Sequence, residues 1–279
     1  MSNIDFQALG ISPANFRQQY GPWALIAGAS HGLGAEFAHQ LAALGLNCVL
    51  LSRRPTVLDE LKQELQTKYA IECLTIGVDL CDDKATDKIR LAIADREIGL
   101  LVYNAGAPPF TDHFLSSEIE ALHGFVRMNT VTVYSLCHHF GRQMVDRGRG
   151  GIILVGSHAA FGGTKKLGLY TATKGFMLNL GESLWAEWKG AGVDVLNLVI
   201  ASTDTPTMRE HMQAHGIDVP EDLATPQEII PLGLAELANG PTFVHPDDLN
   251  VQQGEQSHGD VRRAHVVQST LESSKFIGD

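Results

Sequence analysis

No apolar run in this chain reaches the ~18 residues that a membrane-spanning helix needs. Its opening residues, MSNIDFQALG, lack the charged and apolar regions of a secretory leader. Both absences predict a protein without a membrane span, at work in the cytoplasm. Cysteine is scarce, with Cys48, Cys73, Cys81 and Cys137 forming no Cys-x-x-Cys pair. Three of the four fall in or beside expected strands or helices, where a small buried thiol fits, and this usage suggests a reducing compartment. Positive charge is short as well: 21 Lys and Arg stand against 32 Asp and Glu, a formal net charge of −11. That balance argues against a broad nucleic-acid surface while leaving room for a local basic pocket. The histidines lack metal-ligand spacing. His138 and His139 are adjacent, beside a Cys137 that reads as packing, and His211 and His215 in EHMQAH lack the His-Glu-x-x-His arrangement, so no metal site is expected.

What the chain does contain is a strand-helix rhythm. Hydrophobic residues make up 44% of its 279 positions and charged residues 19%, enough for a substantial core. The segments NCVLLS, GGIILVG and DVLNLVI are continuously apolar, the pattern of strands buried on both faces. The prediction is an α/β fold, a doubly wound parallel sheet of Rossmann type in a single domain. Residues 1–20 form a polar lead-in from which Phe16 and Tyr20 pack inward, 21–248 the main domain, and 249–279 a tail of variable position with a helix over 261–273. Residues 206–240, which carry Pro206, Pro220, Pro226 and Pro231, suit a lid over a substrate site. A long helix is expected from Ser116 to Arg147, with Asn129 in its middle.

Two stretches carry chemistry. Residues 24–34, ALIAGASHGLG, run a short strand into Gly28, Gly32 and Gly34, with Ser30, His31 and Leu33 between them. Such glycines permit a tight turn and let backbone N–H groups approach a pyrophosphate at a helix N-terminus. Taken alone, the pattern is equally a glycine-rich strand-to-helix turn. The second stretch runs from Ser157 to Lys174. Tyr170 and Lys174 lie four apart in a segment of helical spacing and so emerge on one face. A phenol titrates near ~10, and an ammonium within ~4–6 Å favours its ionised form, which makes the pair a proton donor and acceptor near neutrality. Ser157, at the end of an apolar strand, places a hydroxyl to face that phenol. By itself Tyr-x-x-x-Lys is as well an amphipathic helix with a surface lysine.

Together with Asn104-Ala105-Gly106 and Asn129, these stretches resemble the short-chain dehydrogenase/reductase family in order and spacing, including the twelve residues between Ser157 and Tyr170. The likeness runs from about Tyr20 to Pro246. It implies an enzyme that interconverts a ketone and a secondary alcohol with a nicotinamide cofactor. By resemblance, Tyr170 transfers the proton, Ser157 holds the carbonyl oxygen, Lys174 binds the nicotinamide ribose and lowers the tyrosine pKa, and Asn129 holds a water. Asp79 and Leu80 then flank the adenine, Asn104 to Gly106 run beside the cofactor, and Ile200, Thr203 and Thr205 lie near the nicotinamide. A core hydrogen bond would equally account for Asn129, and a strand-end turn for Asp79. Two departures concern support, Tyr103 replacing the first Asn of Asn-Asn-Ala-Gly and Ala27 the usual threonine, while a third, Ile200-Ala201 for a Pro-Gly, bears on the local backbone and the Ile200 contact to the nicotinamide. The Thr-to-Asn strand bridge is therefore expected to be missing.

At the end of NCVLLS, where a carboxylate would bind a ribose 2′-hydroxyl, stand Ser52, Arg53 and Arg54, with no acidic residue before Asp59. This points to NADP(H) rather than NAD(H), although an arginine pair also suits a solvated loop. His31 either adds a contact to that phosphate or is simply exposed. YGPWALIAGAS and GLNCVLLSRR are most similar to the 17β-hydroxysteroid dehydrogenase and long-chain 3-ketoacyl reductase subgroup. The implied partner is a bulky apolar small-molecule ketone or alcohol, the implied assembly a homodimer or homotetramer. Two rivals are a non-catalytic NADP(H)-binding regulator, disfavoured by the full set of four, and a hydrolase on Ser157 and His158, disfavoured because Gly-Ser-His-Ala-Ala is not a Gly-x-Ser-x-Gly elbow.

Overall fold

Seven apolar segments become strands: β1 (Trp23–Ala27), β2 (Asn47–Ser52), β3 (Cys73–Gly77), β4 (Ile98–Tyr103), β5 (Gly150–Ser157), β6 (Val193–Ile200) and β7 (Thr242–His245). The computed structural model of the chain describes residues 4–106, 113–214, 216–245 and 258–277, with side chains to 271. Its strands form one parallel sheet in the order β3-β2-β1-β4-β5-β6-β7. The connecting helices are α1 (Pro13–Tyr20), α2 (Leu33–Ala43), α3 (Pro55–Tyr69), α4 (Ala85–Ile93) and α5 (Ile119–Val126). They continue with α6 (Thr132–Arg147), α7 (Gly168–Trp188), α8 (Pro206–Ala214), α9 (Pro226–Glu236) and α10 (His258–Ile277).

Alternation along each strand divides the core in two. Ala24 and Ile26 of β1 pack with Phe37 and Leu41 of α2, Leu58 of α3 and Ile230 of α9. Leu25 and Ala27 face the other way, onto Ile89 of α4, Phe140 of α6 and Met177 of α7. A parallel sheet covered on both faces demands strands that are apolar throughout, which is why the sequence shows runs and not alternation. Winding proceeds outward from β1 to β3 and then restarts at β4 on the other side of β1. The crevice that opens beyond the carboxyl ends of β1 and β4 is where such folds receive a ligand.

Three expectations are corrected. The helix foreseen over 116–147 runs from Ile119 to Arg147 but carries a π turn (Arg127–Val131) between α5 and α6, and Ser116 belongs to a separate 3₁₀ turn (Phe114–Ser116). Half of the foreseen lid is core, because Thr225 starts α9 with a capping box and Ile229, Ile230 and Leu234 are buried against the sheet. The foreseen tail is anchored as well over its described part, residues 249–257 and 278–279 lying outside the described residues. Val266 of α10 joins the core. Arg262 reaches Glu182 of α7, which is only 4% exposed and also accepts from Thr242 Oγ1 at 2.9 Å.

Removing one partner of a buried ion pair leaves the other charge uncompensated. Arg262→Ala is therefore expected to lower stability by about 3 kcal/mol, read from the urea midpoint; a loss below ~0.5 kcal/mol, the range of surface pairs, would show the contact to be incidental.

Candidate functional site

The glycine turn is shaped by close approach. Gly28 has φ +82°, and a Cβ there would stand 2.9 Å from Ala105 Cα; one on Gly34 would stand 2.0 Å from Gly28 O. Only glycine lets the start of α2 lie this near the end of β1. Gly32 supplies no side-chain cap to α2, whose first N–H groups stay open, and Leu33 packs against the core. Asn104 completes the floor: its N–H donates to Ala27 O at 3.1 Å and its Nδ2 to Gly28 O at 3.0 Å. Although Ala27 and Tyr103 remove the expected Thr-to-Asn bridge, Asn104 ties β4 to β1 by a different route.

A cleft of about 350 Å³ opens over this floor. Gly28, Ser30, His31, Ser52, Arg53, Arg54, Asp79, Leu80, Asn104, Ala105 and Gly106 all line it. At one end Arg54 Nη2 lies 3.2 Å from Ser30 Oγ and 2.8 Å from His31 Nε2. Burial, with the Arg54 charge behind it, holds the His31 imidazole below its ordinary pKa, so the group nearest the guanidinium is neutral. Asp79 Oδ1 accepts from Cys81 N–H at 3.0 Å, closing the strand-end turn while the residue still faces the cleft.

Behind Gly106, which lines the cleft, side chains from three elements gather without themselves forming part of the lining. A Cβ on Gly106 would stand 3.8 Å from Lys174 Nζ and 4.0 Å from Asn129 Oδ1. Lys174 is buried on α7, donates to Val155 O at 2.9 Å, and holds its Nζ 5.8 Å from the centroid of the Tyr170 ring. Ser157 ends β5, where its Oγ accepts from Ala159 N–H at 3.2 Å, and stands close enough to Tyr170 to act on its phenol. Asn129, fully buried in the π turn, donates from Nδ2 to Phe125 O at 3.0 Å, and its Oδ1 has no hydrogen-bond partner among the described residues. The expected electrostatics need correction. Burial raises the Tyr170 phenol and Ser157 opposes that rise, whereas Lys174, turned toward a backbone carbonyl, is not among the causes. Burial also pushes the Lys174 ammonium down to about 8.

Ile200, Thr203 and Thr205, like the four side chains behind Gly106, are not part of the cleft lining. Ile200 pairs with Ser157 across β5 and β6. Thr203 is buried with its hydroxyl donated to Ala201 O at 3.1 Å. Thr205 Oγ1 accepts from Met208 N–H at 3.2 Å, starting α8, and a Cβ on Gly32 would stand 3.2 Å from its methyl group. Phe125, Met128 and Thr207 line the cleft without having been foreseen. The two from the α5 region looked like part of one continuous helix, so nothing in the spacing turned them toward the site. Among the described residues no helix is long and apolar enough to cross a membrane, and no group of three or more His, Cys, Asp or Glu is placed to hold a metal; His215 lies outside them.

Comparison with known proteins adds to this geometry. The family model for short chain dehydrogenase matches residues 22–216. A 7beta-hydroxysteroid dehydrogenase of Collinsella aerofaciens is 29% identical over 218 residues, 77% of this chain and 82% of the relative. A very-long-chain 3-oxoacyl-CoA reductase of Neurospora crassa is 35% identical over 204 residues, 71% of this chain and 61% of the relative. Among solved structures, a short-chain dehydrogenase from Sphingobium yanoikuyae in complex with NADPH aligns with a TM-score of 0.77 at 25% identity, over 91% of this chain and 96% of that one.

The Lys174 shift has a measurable sign. Unfolding restores the ordinary 10.5, so between about pH 8 and 10.5 the unfolded chain holds the extra proton and the folded state gains as pH rises. Below about 8 the burden of burying the charge is fully present. The stability of the wild type relative to Lys174→Met should therefore climb by an amount approaching 3 kcal/mol, on the order of 1.4 kcal/mol per unit, in urea titrations over that window. A pH-independent difference would contradict the assignment.

Proposed function

The chain belongs to the short chain dehydrogenase family of oxidoreductases, and on that premise we propose that it interconverts a ketone and a secondary alcohol with NADP(H), on a bulky apolar substrate such as a ketosteroid or a 3-ketoacyl compound. The observation that carries this reading is the convergence of Lys174 Nζ and Asn129 Oδ1 on Gly106, with Ser157 and Tyr170 beside each other, behind the wall of a cleft that also holds two arginines. The substrate class is supported by the hydroxysteroid dehydrogenase and oxoacyl-CoA reductase among the relatives.

The residues present fit the dinucleotide. Gly28 and Gly34 keep the backbone bare where side chains would collide, the first N–H groups of α2 are open to a pyrophosphate, and Arg53 and Arg54 line the cleft and offer guanidinium groups to a 2′-phosphate. When bound, NADP(H) supplies or accepts the hydride. Tyr170 would give its proton to the carbonyl oxygen, or take it back in oxidation, while Ser157 holds that oxygen by a hydrogen bond. Lys174, with an ammonium near 8, exchanges protons close to neutral pH and refills the tyrosine. Asn129 Oδ1, buried and unpartnered, would accept from a water on that path. Asp79 and Leu80 would border the adenine, and Ile200, Thr203 and Thr205 the nicotinamide. The same reading carries a homodimer or homotetramer, and a cytoplasmic setting in keeping with four free cysteines.

Oxidation of NADPH by a panel of bulky ketones tests the activity, and no turnover with any of them would count against it. Tyr170→Phe is expected to lower kcat by roughly 10²–10⁴-fold with NADPH affinity nearly intact; equal loss of both would remove the tyrosine from the proton step. Arg53→Ala with Arg54→Ala should weaken NADPH by about 10–100-fold and NADH little. An unchanged preference would return the choice of cofactor to open ground.

A further inference from the structure

The backbone between α5 and α6 is wound one residue too loosely for an α-helix. Thr132 N–H bonds to Arg127 O, five residues back, and not to Met128 O, four back. Met128 O therefore loses the donor that a regular helix would give it, at a half-buried position lining the cleft. Carbonyls in such places seek a replacement. The replacement is Tyr103, a fully buried side chain at the end of β4, whose hydroxyl donates to Met128 O at 2.5 Å.

The next residue is Asn129, whose Nδ2 is spent on Phe125 O and whose Oδ1 is left aimed toward the Gly106 wall. Tightening the π turn to an α turn would displace the register by one residue, and each residue of an α-helix turns the side-chain direction by about 100°. Asn129 would then face elsewhere. Thr132, whose Oγ1 donates to Leu80 O at 2.9 Å, and Arg127, whose Nη1 donates to Cys81 O at 2.9 Å, fix the two ends of the turn, so a change of winding is taken up by the residues between them.

We infer that Tyr103 is a positioning residue: its hydroxyl holds the π turn open at Met128 and thereby aims the Asn129 carboxamide toward the Gly106 wall of the cleft. The position that the resembled family usually gives to asparagine here carries a phenol long enough to reach across to the turn. The inference rests on the reading of Asn129 as part of the proton path, and its test separates the two.

Tyr103→Phe deletes the hydroxyl and keeps the ring. Reduction of a bulky ketone by NADPH is measured across pH for the wild type, Tyr103→Phe, Asn129→Ala and the double variant, together with amide hydrogen exchange over residues 127–132. Tyr103→Phe is expected to lower kcat about tenfold, to shift its pH profile and to leave NADPH affinity unchanged. In the Asn129→Ala background the same change should remove less than roughly twofold more. An equal tenfold loss in both backgrounds overturns the inference. Tyr20→Phe is the control for general loosening, because it deletes a buried phenol bonded to Asp194 at 2.7 Å, far from the cleft. It should lower Tm without moving the pH profile, and if it moves the profile as Tyr103→Phe does, Tyr103 has no special role. Exchange over 127–132 should change in Tyr103→Phe alone, and unchanged exchange overturns the inference whatever the turnover. Where no ketone is reduced, or Asn129→Ala matches the wild type, the reading of the site falls and exchange still decides on Tyr103.

Discussion

A single backbone crossing governs the site: the carbonyl of Gly28 is approached by the start of α2 from one side and by the Asn104 carboxamide from the other. Because the sheet order reverses between β1 and β4, the chain ends leaving these two strands part company and the space above them stays open. The Asn104 bond keeps the floor of that space from widening, and the absence of a side chain at Gly34 keeps α2 close enough for its N–H groups to face inward. Arg54, Ser30 and His31 at one end and Lys174 and Asn129 behind Gly106 are placed relative to this floor. Any loosening of the crossing is felt at both places together.

Burial then sets the electrostatic character of the inner end. The phenol of Tyr170 and the ammonium of Lys174 are both driven toward their neutral forms, in opposite directions on the pH scale, so the pH ranges in which each is ionised are pushed apart. Ser157 offsets part of the burden on the phenol. Simple proximity of an ammonium, the argument available from spacing alone, understates how far a low-dielectric wall competes with charge. The outer end differs in its contact with solvent, since Arg53 and Arg54 are exposed.

Much of this arrangement is legible in the residues. Strands buried on both faces announce themselves as apolar runs, and Gly28, Gly32 and Gly34 mark a turn that few other residues tolerate, so the parallel sheet and its first crevice follow from the chain alone. Tyr170, Lys174 and Ser157 are gathered as their spacing requires. Other features leave no local trace. A π turn is a slip of one hydrogen bond, and the residues RMNTV that make it would serve an α-helix equally well. The prolines of 206–240 suggest an irregular cover, yet Pro226 occupies the first turn of α9, where a missing N–H does no harm, and Ile229, Ile230 and Leu234 carry that helix into the core. Arg262 and Glu182 are 80 residues apart, a distance over which no periodicity speaks. Thr205 has a structural part that its motif position does not announce, its Oγ1 accepting from Met208 N–H where α8 begins.

The anchoring of α10 has a bearing on how the sheet ends. β7 is the outermost strand on its side, and an outermost strand offers a row of peptide groups on which another chain can template itself. Arg263 Nε of α10 donates to Gly240 O at 2.6 Å, just before that strand begins, and Arg262 grips Glu182 behind it. The helix thus works as a selvedge, finishing the woven margin so that it neither frays nor catches on its neighbours.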